Sequence, residues 1–246
     1  MSDGRLDGKV VLVTGSSSGI GEAVARRADA LGASVVVNSV RSIEAGTAIA
    51  SSLRDALYVQ GDVALEADCQ RLVAATLERF GRLDVLVNNA GVTKLIDHKD
   101  LDAASVDVFR EIFEVNVFGT WAMTMAAVPS LRLQHGAIIN MTSVAGVRPT
   151  GSSIPYAASK AALNHLTVLL AKVVGPDIRV NAIAPGLVAT PWTEDWGSLH
   201  ALVAAVAPMK RSATPEDVAK ATIDLATSDY VTGQVLVVDG GLSIVT

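Results

Sequence analysis

The fold is decided by Thr14-Gly15-Ser16-Ser17-Ser18-Gly19-Ile20-Gly21, which ends an apolar run starting at Val10 and leads into Glu22-Ala23-Val24-Ala25-Arg26. Gly15 permits a tight turn, Gly19 lets backbone N–H groups approach a pyrophosphate, and Gly21 lets the next helix pack closely. The helix N-terminus adds positive potential. The spacing differs from G-x-G-x-x-G, and the lysine of a P-loop is absent. We interpret the stretch as a phosphate-binding turn with cofactor contacts at Gly15, Ser17, Ser18, Gly19, Ile20 and Gly21.

Length and composition are typical of a globular protein. The chain has 246 residues, of which 50% are hydrophobic and 18% charged. These values exclude disordered, collagen-like and disulfide-framed classes. The formal net charge is −5 and the sequence contains no basic block, so we expect no nucleic-acid partner. Because no linker or change in composition divides the sequence, we predict one domain over residues 1–246 that carries both the cofactor and the catalytic residues.

Membrane and metal sites are both disfavoured. The N-terminal Met1-Ser2-Asp3-Gly4-Arg5 lacks the apolar core of a signal peptide, and the other apolar runs are shorter than a membrane span. We therefore expect a cytoplasmic protein without a membrane partner. Cys69 is the single cysteine, and the four histidines show no ligand spacing, so we expect no metal site.

Short β-branched segments alternate with longer stretches of helical spacing. The predicted strands are 10–14, 34–38, 57–60, 85–88, 137–141, 179–182 and 234–238, and the predicted helices are 21–31, 66–80, 103–131, 155–174 and 215–226. The strands are apolar on both faces, which suits a parallel sheet covered on both sides. We therefore predict an α/β fold: a Rossmann-type, doubly wound parallel sheet of about seven strands with helices on both faces.

The end of the second predicted strand, Asn38-Ser39-Val40-Arg41, carries no carboxylate. A dinucleotide fold presents its ribose-reading residue there, where an acid would bind the 2′-hydroxyl of NAD and repel the 2′-phosphate of NADP. Arg41 can pair with that phosphate. We predict that Asn38, Ser39 and Arg41 contact the cofactor, that NADP(H) is favoured over NAD(H), and that Asn38→Asp shifts the preference toward NAD. The alternative is an Arg41 side chain that is only solvated.

A pair of residues for proton transfer lies in Tyr156-Ala157-Ala158-Ser159-Lys160. The tyrosine and lysine are four residues apart, so they share one helix face. A neighbouring positive charge stabilises a phenolate, which makes the phenol a usable general acid nearer neutral pH. Ser143 follows the strand 137–141, and its hydroxyl can bond a carbonyl held against the phenol. A buried tyrosine beside an exposed lysine is the structural alternative.

Taken together, these motifs resemble the short-chain dehydrogenase/reductase family, and in particular its 3-oxoacyl-carrier-protein reductases, over about residues 8–241. The resemblance implies a catalytic set of Asn116, Ser143, Tyr156 and Lys160. It also implies cofactor contacts at Asp62 and Val63 for the adenine, at Asn88, Ala90 and Gly91 beside the ribose, at Tyr156 and Lys160, and at Pro185, Gly186, Val188 and Thr190 for the nicotinamide.

The resemblance further implies hydride exchange between a nicotinamide and a small-molecule ketone or secondary alcohol. Tyr156 would exchange the proton, Lys160 would lower the pKa of Tyr156 and bind the ribose, Ser143 would orient the carbonyl, and Asn116 would hold a water that relays protons. A reductase of 3-oxoacyl thioesters is the alternative, for which Lys210-Arg211 offers a small basic patch for a carrier protein. A catalytically silent dinucleotide sensor is the remote alternative.

Two further features concern the substrate and the assembly. Residues 187–211 are where the family places a lid over the substrate, and Trp192, Trp196, Leu199, Leu202 and Val203 predict an apolar wall there. A packed or subunit-facing helix is the alternative. The helices 103–131 and 155–174 are apolar over more than one face, which, together with the family resemblance, predicts a homotetramer.

Overall fold

A seven-stranded parallel sheet forms the centre of the molecule. The computed structural model describes residues 6–245, so residues 1–5, which carry the signal-peptide argument, and residue 246 lie outside the described part. The strands are β1 Val10–Val13, β2 Ser34–Ser39, β3 Ala56–Gln60, β4 Val85–Asn88, β5 Ala137–Met141, β6 Arg179–Pro185 and β7 Val235–Val238. Their order is β3-β2-β1-β4-β5-β6-β7, and all neighbours are parallel. The predicted doubly wound α/β fold is confirmed.

Helices cover both faces of this sheet. They are α1 Gly19–Ala30, α2 Ile43–Ser52, α3 Glu66–Phe80, α4 Val106–Phe113, α5 Thr120–Leu133, α6 Ile154–Val174, α7 Gly197–Val206 and α8 Pro215–Thr227. Side chains alternate along a strand, so Val11 and Val13 pack with α1 and α8, whereas Val10 and Leu12 pack with α3 and α5. The all-apolar strand sequence thus builds two cores. Within residues 6–245, no helix combines the length and apolarity that a bilayer crossing needs.

The predicted single helix 103–131 is wrong. The chain instead forms α4, a π-helical segment Glu114–Gly119 and α5. In the wider turn, the Asn116 side chain accepts from Val92 N at 2.8 Å and donates to Val92 O at 3.1 Å, while Thr120 Oγ1 donates to Asn116 O at 2.8 Å. These polar contacts compete with regular α-helical spacing, and π turns of this kind recur at functional sites.

Two helices were not predicted from the sequence. Helix α2 is built largely from Ala, Gly, Ser and Thr, and its Gly46 packs directly against the Tyr58 ring. Helix α7 lies within residues 187–211, after a short 3₁₀ turn Pro191–Thr193. The small residues of α2 and the half-exposed apolar residues of α7 give little helical periodicity in the sequence. Both segments are therefore helical because of their packing in the folded chain.

Candidate active site

A cleft of about 1190 Å³ opens at the carboxyl edge of the sheet, beside the point where strand order reverses between β1 and β4. Parallel sheets of this type bind ligands there. The predicted site residues that line it are Gly15, Ser17, Ser18, Gly19, Ile20, Gly21, Ser39, Arg41, Asp62, Val63, Ala90, Gly91, Ser143, Tyr156, Lys160, Pro185, Gly186, Val188 and Thr190. The cleft therefore brings together residues from most of the chain. Asn38, Asn88 and Asn116 are not among its lining residues.

The glycine turn is held in a backbone conformation that residues with a Cβ rarely adopt. Gly15 and Gly19 have φ of 61° and 57°, in the left-handed region that favours glycine. A Cβ on Gly21 would lie 2.5 Å from Gly15 O and 2.6 Å from Asn89 Nδ2. Gly15 thus makes the tight turn and Gly21 the close start of α1 that the sequence indicated, while the approach of a pyrophosphate at Gly19 stays a prediction.

Four hydrogen bonds between the glycine turn and the residues after β4 hold both segments in place. Asn89 Nδ2 donates to Thr14 O and Gly15 O at 2.9 Å each. Thr14 Oγ1 accepts from Asn89 N and Ala90 N at 3.0 Å each. Sequence reasoning placed both residues in motifs but selected only their neighbours for the site. The signal was a polar residue directly after each of two adjacent strands.

The expected cofactor contact at Asn38 is not supported. Asn38 is buried, accepts from Gly15 N at 3.2 Å through Oδ1, and donates through Nδ2 to Val59 O and Gly61 O at 3.1 and 3.0 Å. Its amide therefore braces the turn against β3. Side chains alternate along a strand, so the next residue, Ser39, lines the cleft instead. Ser39 is therefore the residue of this pair whose side chain faces the cleft.

Arg41 and Asp62 lie where the sequence placed them, in the cleft lining. The Arg41 guanidinium is exposed and forms no ion pair within residues 6–245, so it is free to meet an anion. The backbone at Asp62 is fixed by Asp68, whose Oδ2 accepts from Asp62 N at 2.8 Å. That bond and the Arg71 guanidinium lower the pKa of Asp68. Asp68 and Arg71 are supporting residues that the sequence analysis missed.

Ser143, Tyr156 and Lys160 meet at the centre of the cleft. The Ser153 side chain caps α6 by accepting from Tyr156 N at 3.3 Å, which places Tyr156 in the first turn. Lys160, one turn later, holds its Nζ 5.6 Å from the centroid of the Tyr156 ring and donates to Met141 O at 2.9 Å. The Ser143 hydroxyl lies close enough to the Tyr156 phenol to lower its pKa, and it accepts from Ala145 N at 3.1 Å. A proton donor, a cation and an orienting hydroxyl are thus adjacent.

The electrostatics of the pair differ from the sequence expectation. Burial raises the pKa of Tyr156, and the Ser143 hydroxyl offsets this only in part. Burial also lowers the pKa of Lys160 to about 8. The net shift of the Tyr156 pKa is upward because desolvation outweighs the effect of Ser143, and Lys160 is not among the groups that lower it.

The Asn116 side chain has three hydrogen bonds within the protein, and a water held by this residue stays a prediction. Besides its two bonds to the Val92 backbone, its Nδ2 donates to Ser159 Oγ at 3.0 Å. Ser159 Oγ in turn donates to Tyr156 O at 2.7 Å. The side chain therefore ties the π-helical segment to the turn of α6 that carries Tyr156 and Lys160. Ser159, which lies inside the quoted tyrosine motif, is a second supporting residue that was missed.

Asn88 is also structural rather than cleft-lining. It is buried at the end of β4, where Nδ2 donates to Thr124 Oγ1 at 3.1 Å and to Asn140 Oδ1 at 3.0 Å. Asn140 Nδ2 continues the network to Thr167 Oγ1 at 2.9 Å. These bonds link β4 and β5 to α5 and α6 beneath the cleft. Of the three residues expected beside the ribose, Ala90 and Gly91 line the cleft and Asn88 does not.

The residues present fit a dinucleotide. The turn offers backbone N–H groups and a helix N-terminus for the pyrophosphate. A Cβ on Gly91 would lie 3.5 Å from Lys160 Nζ and 3.2 Å from Asn116 Oδ1, so glycine leaves open the space in front of the lysine. Pro185, Gly186 and Thr190 line the far end of the same cleft. These groups form one continuous path from Arg41 to Tyr156.

Residues 187–211, the segment predicted to be a lid and called the lid below, line the Tyr156 end of this path. Trp192 lies in the 3₁₀ turn, with its ring centroid 6.5 Å from that of Tyr156 and an interplanar angle of 76°. His200 of α7 is hydrogen-bonded on both sides, to Ser212 Oγ at 2.7 Å and to Thr193 O at 3.1 Å. All five apolar residues predicted for the wall line the cleft, together with Val206. His200 was not recognised from the sequence.

Several groups singled out in the sequence lie outside this chemistry. Cys69 is buried, and burial raises the pKa of its thiol to about 11. Arg211 pairs with Asp217 at 2.5 Å, and Lys210 Nζ donates to Ala205 O at 2.9 Å, so both cations are already engaged. Across residues 6–245, no three His, Cys, Asp or Glu side chains gather as metal ligands would.

Comparison with protein families and curated proteins gives matches over nearly the whole chain. A family model described as enoyl-(acyl carrier protein) reductase matches residues 15–243. The chain is 54% identical over 236 residues to a Streptomyces violaceoruber protein described as ketoacyl reductase 2 of the granaticin polyketide synthase, with 94% of this chain and 95% of that protein covered. It is 36% identical to the L-fucose dehydrogenase of Oryctolagus cuniculus, with 99% and 88% covered.

Solved structures agree in fold. A Burkholderia xenovorans protein described as a short-chain dehydrogenase/reductase superposes with a TM-score of 0.90 at 36% identity, covering 96% of this chain and 98% of the other. The 3-ketoacyl-(acyl-carrier-protein) reductase of Brucella melitensis, complexed with NADH, gives 0.89 at 34%, covering 97% and 100%. The chain therefore belongs to the short-chain dehydrogenase/reductase family of NAD(P)-dependent oxidoreductases that act on CH–OH and C=O groups.

Proposed function

We propose that this chain is an NADPH-preferring ketone reductase of the ketoacyl type, with Ser143, Tyr156, Lys160 and Asn116 as its functional set. The observation that carries the proposal is the meeting of the first three side chains in the cleft that begins at the glycine turn. The 54% identity to a protein described as a ketoacyl reductase supports a ketoacyl substrate. The same groups serve a secondary alcohol in the reverse direction.

In the proposed reaction, Tyr156 gives its phenolic proton to the carbonyl oxygen of the substrate. A raised pKa keeps this phenol protonated at neutral pH, which suits reduction. Ser143 holds the carbonyl oxygen against the phenol through its hydroxyl. The nicotinamide supplies the hydride when the cofactor is bound.

Lys160 and Asn116 have supporting roles in this proposal. The Lys160 ammonium faces the open space at Gly91, where it would bind the ribose hydroxyls and stabilise a phenolate formed on Tyr156. Asn116 is a positioning residue, because its amide bonds end on Val92 and Ser159 rather than in the cleft.

The preference for NADPH rests on the end of β2. Ser39 offers no carboxylate to repel a 2′-phosphate, and the unpaired Arg41 guanidinium lines the cleft next to it. A charge-assisted contact between guanidinium and phosphate is stronger than a neutral hydrogen bond. NADPH is therefore the proposed cofactor.

The proposed assembly is a homotetramer. Phe118, Trp121 and Met125 form an exposed apolar stripe that starts in the π-helical segment and continues along α5. A second exposed apolar group, Leu236 and Ile244, lies at the opposite, β7 edge of the sheet. Two separate apolar surfaces on one chain suit two kinds of twofold contact. Light scattering at micromolar concentration checks this, and a monomer would contradict it.

Tyr156→Phe provides the test of the proposed chemistry. The substitution removes the proton donor and keeps the ring, so turnover of a 3-oxoacyl thioester with NADPH should fall by about 10² or more. Binding of NADPH, measured by its fluorescence, should change little.

Tyr230→Phe is the matched control, because this fully exposed tyrosine loses the same hydroxyl outside the cleft. It should retain full turnover. A Tyr156→Phe enzyme as active as this control would disprove the proposed role. A panel of other ketones and alcohols, read at the nicotinamide absorbance band, then identifies the substrate.

A further inference from the structure

Trp192 is the aromatic side chain nearest to the proposed proton donor. Its ring is nearly perpendicular to that of Tyr156. The residue lines the cleft and is 48% exposed. A carbonyl oxygen bonded to the Tyr156 hydroxyl brings the atoms next to that carbonyl within reach of the indole. The substrate body therefore meets Trp192 before it meets the rest of the lid.

The surroundings of Trp192 favour an apolar substrate body. Leu199, Leu202 and Val206 of α7 line the same cleft and are partly exposed. On the opposite wall, Thr93 Oγ1 and Ser152 Oγ are bonded to each other at 2.6 Å. The lid adds the polar side chains of Asp195 and Ser198. A polyol needs a partner for each hydroxyl, and this wall offers few.

We propose that Trp192 is a specificity-determining residue that selects ketones with a flat aromatic ring close to the carbonyl; the inference rests on the proposed ketone reductase function. Aromatic rings attract one another in edge-to-face and offset arrangements beyond the burial of area alone. An indole held edge-on to Tyr156 gives a flat ring such a partner on the side where the carbonyl is reduced. Trp196 also lines the cleft but has no ring contact with Tyr156 among the described residues.

The test compares 2-tetralone with 2-decalone, two fused bicyclic ketones that differ in one aromatic ring. With NADPH, the unmodified enzyme should show a higher kcat/KM for 2-tetralone. Trp192→Leu should lower kcat/KM for 2-tetralone by about five- to tenfold and change that for 2-decalone less than twofold. Trp192→Phe, which keeps an aromatic ring, should retain most of the preference.

Trp196→Leu is the matched comparison on the same lid, and it should lower both rates alike. Equal losses for the two ketones in Trp192→Leu would overturn the inference. An enzyme that reduces an acetoacetyl thioester but neither bicyclic ketone would also overturn it. So would an enzyme that oxidises L-fucose with NADP⁺ faster than it reduces either bicyclic ketone. The proposed function is judged separately, because it fails only if no ketone is reduced or if Tyr156→Phe retains activity.

Discussion

The two ends of the cleft are built differently. At the cofactor end, the glycine turn is clasped by backbone and buried amide contacts from Asn38 and Asn89, with no room for an added carbon at Gly21. At the lid end, the 3₁₀ turn and α7 are largely exposed, and His200 supplies the side-chain bonds that join them. Many hydrogen bonds therefore hold the cofactor end in place, whereas only a few hold the lid end.

This difference matches what each end has to bind. A rigid, preformed cradle loses little conformational entropy of its own when a dinucleotide binds. A substrate has to enter and its product has to leave, which requires a segment of low local stability. Tyr156 and Lys160 lie at the boundary, on the first turns of a helix that also packs on the sheet. Substitutions at the two ends should therefore have different signatures.

The largest effect is expected at the boundary, for Lys160→Met. Activity should fall by at least about a hundredfold, because the ammonium beside Tyr156 and Gly91 is lost. The folded protein should nevertheless become more stable by on the order of 1–3 kcal/mol at neutral pH, because a buried charge is replaced by an apolar side chain of similar length.

The stability gained by Lys160→Met should depend on pH in a definite direction. The pKa of Lys160 is about 8 in the folded chain, against 10.5 for an unperturbed lysine. Between these values the unfolded chain binds more protons, so stability of the unmodified protein rises with pH over that range. The gain in melting temperature for Lys160→Met should therefore be full below pH 8 and shrink above it. A variant less stable than the parent at pH 7 would contradict the argument.

Two glycine substitutions compare the two ends directly. Gly21→Ala places a carbon against Gly15 O and Asn89 Nδ2, so we expect a loss of about 1–3 kcal/mol in stability together with weaker cofactor binding. Gly197→Ala, at the start of α7, meets nothing within 4 Å. It should be neutral or stabilising by up to about 0.5 kcal/mol. Urea unfolding of both variants checks the contrast, and equal losses would remove it.

The cofactor end was the part that the sequence predicted well. Its glycines are required by backbone geometry at fixed positions, and such requirements are visible in a single sequence. The prediction there named both Asn38 and Ser39, and only Ser39 lines the cleft. Asn38 and Ser39 are adjacent in β2, and only the pairing of β2 with β3 decides which one faces the cleft.

The lid end was predicted only as an apolar segment. Helix α7 has no periodic apolar pattern in the sequence. The hydrogen bonds of His200 to Ser212 and Thr193 also follow no pattern that a sequence shows. The π-helical segment was missed for a similar reason, since it results from Asn116 meeting Val92 and Ser159 in the folded chain. Burial also reversed the expected pKa shift of Tyr156, and burial is a property of the fold.

A smaller effect is expected for Arg41→Ala at the cofactor end. If the guanidinium meets the 2′-phosphate, its loss removes about 1.5–3 kcal/mol, and the KM for NADPH should rise roughly ten- to a hundredfold. The KM for NADH should hardly change. Initial rates with both cofactors test this, and an unchanged KM for NADPH would refute the proposed preference.

Ser39→Asp is the companion substitution, because Ser39 rather than Asn38 lines the cleft. A carboxylate there should shift the preference toward NADH. Asn38→Asp should instead weaken the fold, since it removes the two bonds that Nδ2 donates to Val59 O and Gly61 O. If Asn38→Asp changed cofactor preference without loss of stability, the assignment of the two positions would be reversed.

The smallest effect is expected for His200→Ala at the lid end. The imidazole joins α7 to Ser212 and to the turn that carries Trp192, so its removal loosens the closed lid by the net value of one or two hydrogen bonds. The KM for the ketone should rise about three- to tenfold, while kcat and NADPH affinity change less. His165→Ala removes an exposed imidazole from α6, outside the cleft, and should change neither constant. A His200→Ala enzyme that instead lost NADPH affinity would show that the lid and the cofactor cradle form one structural unit, because a latch that acts only on the substrate side leaves the glycine turn untouched.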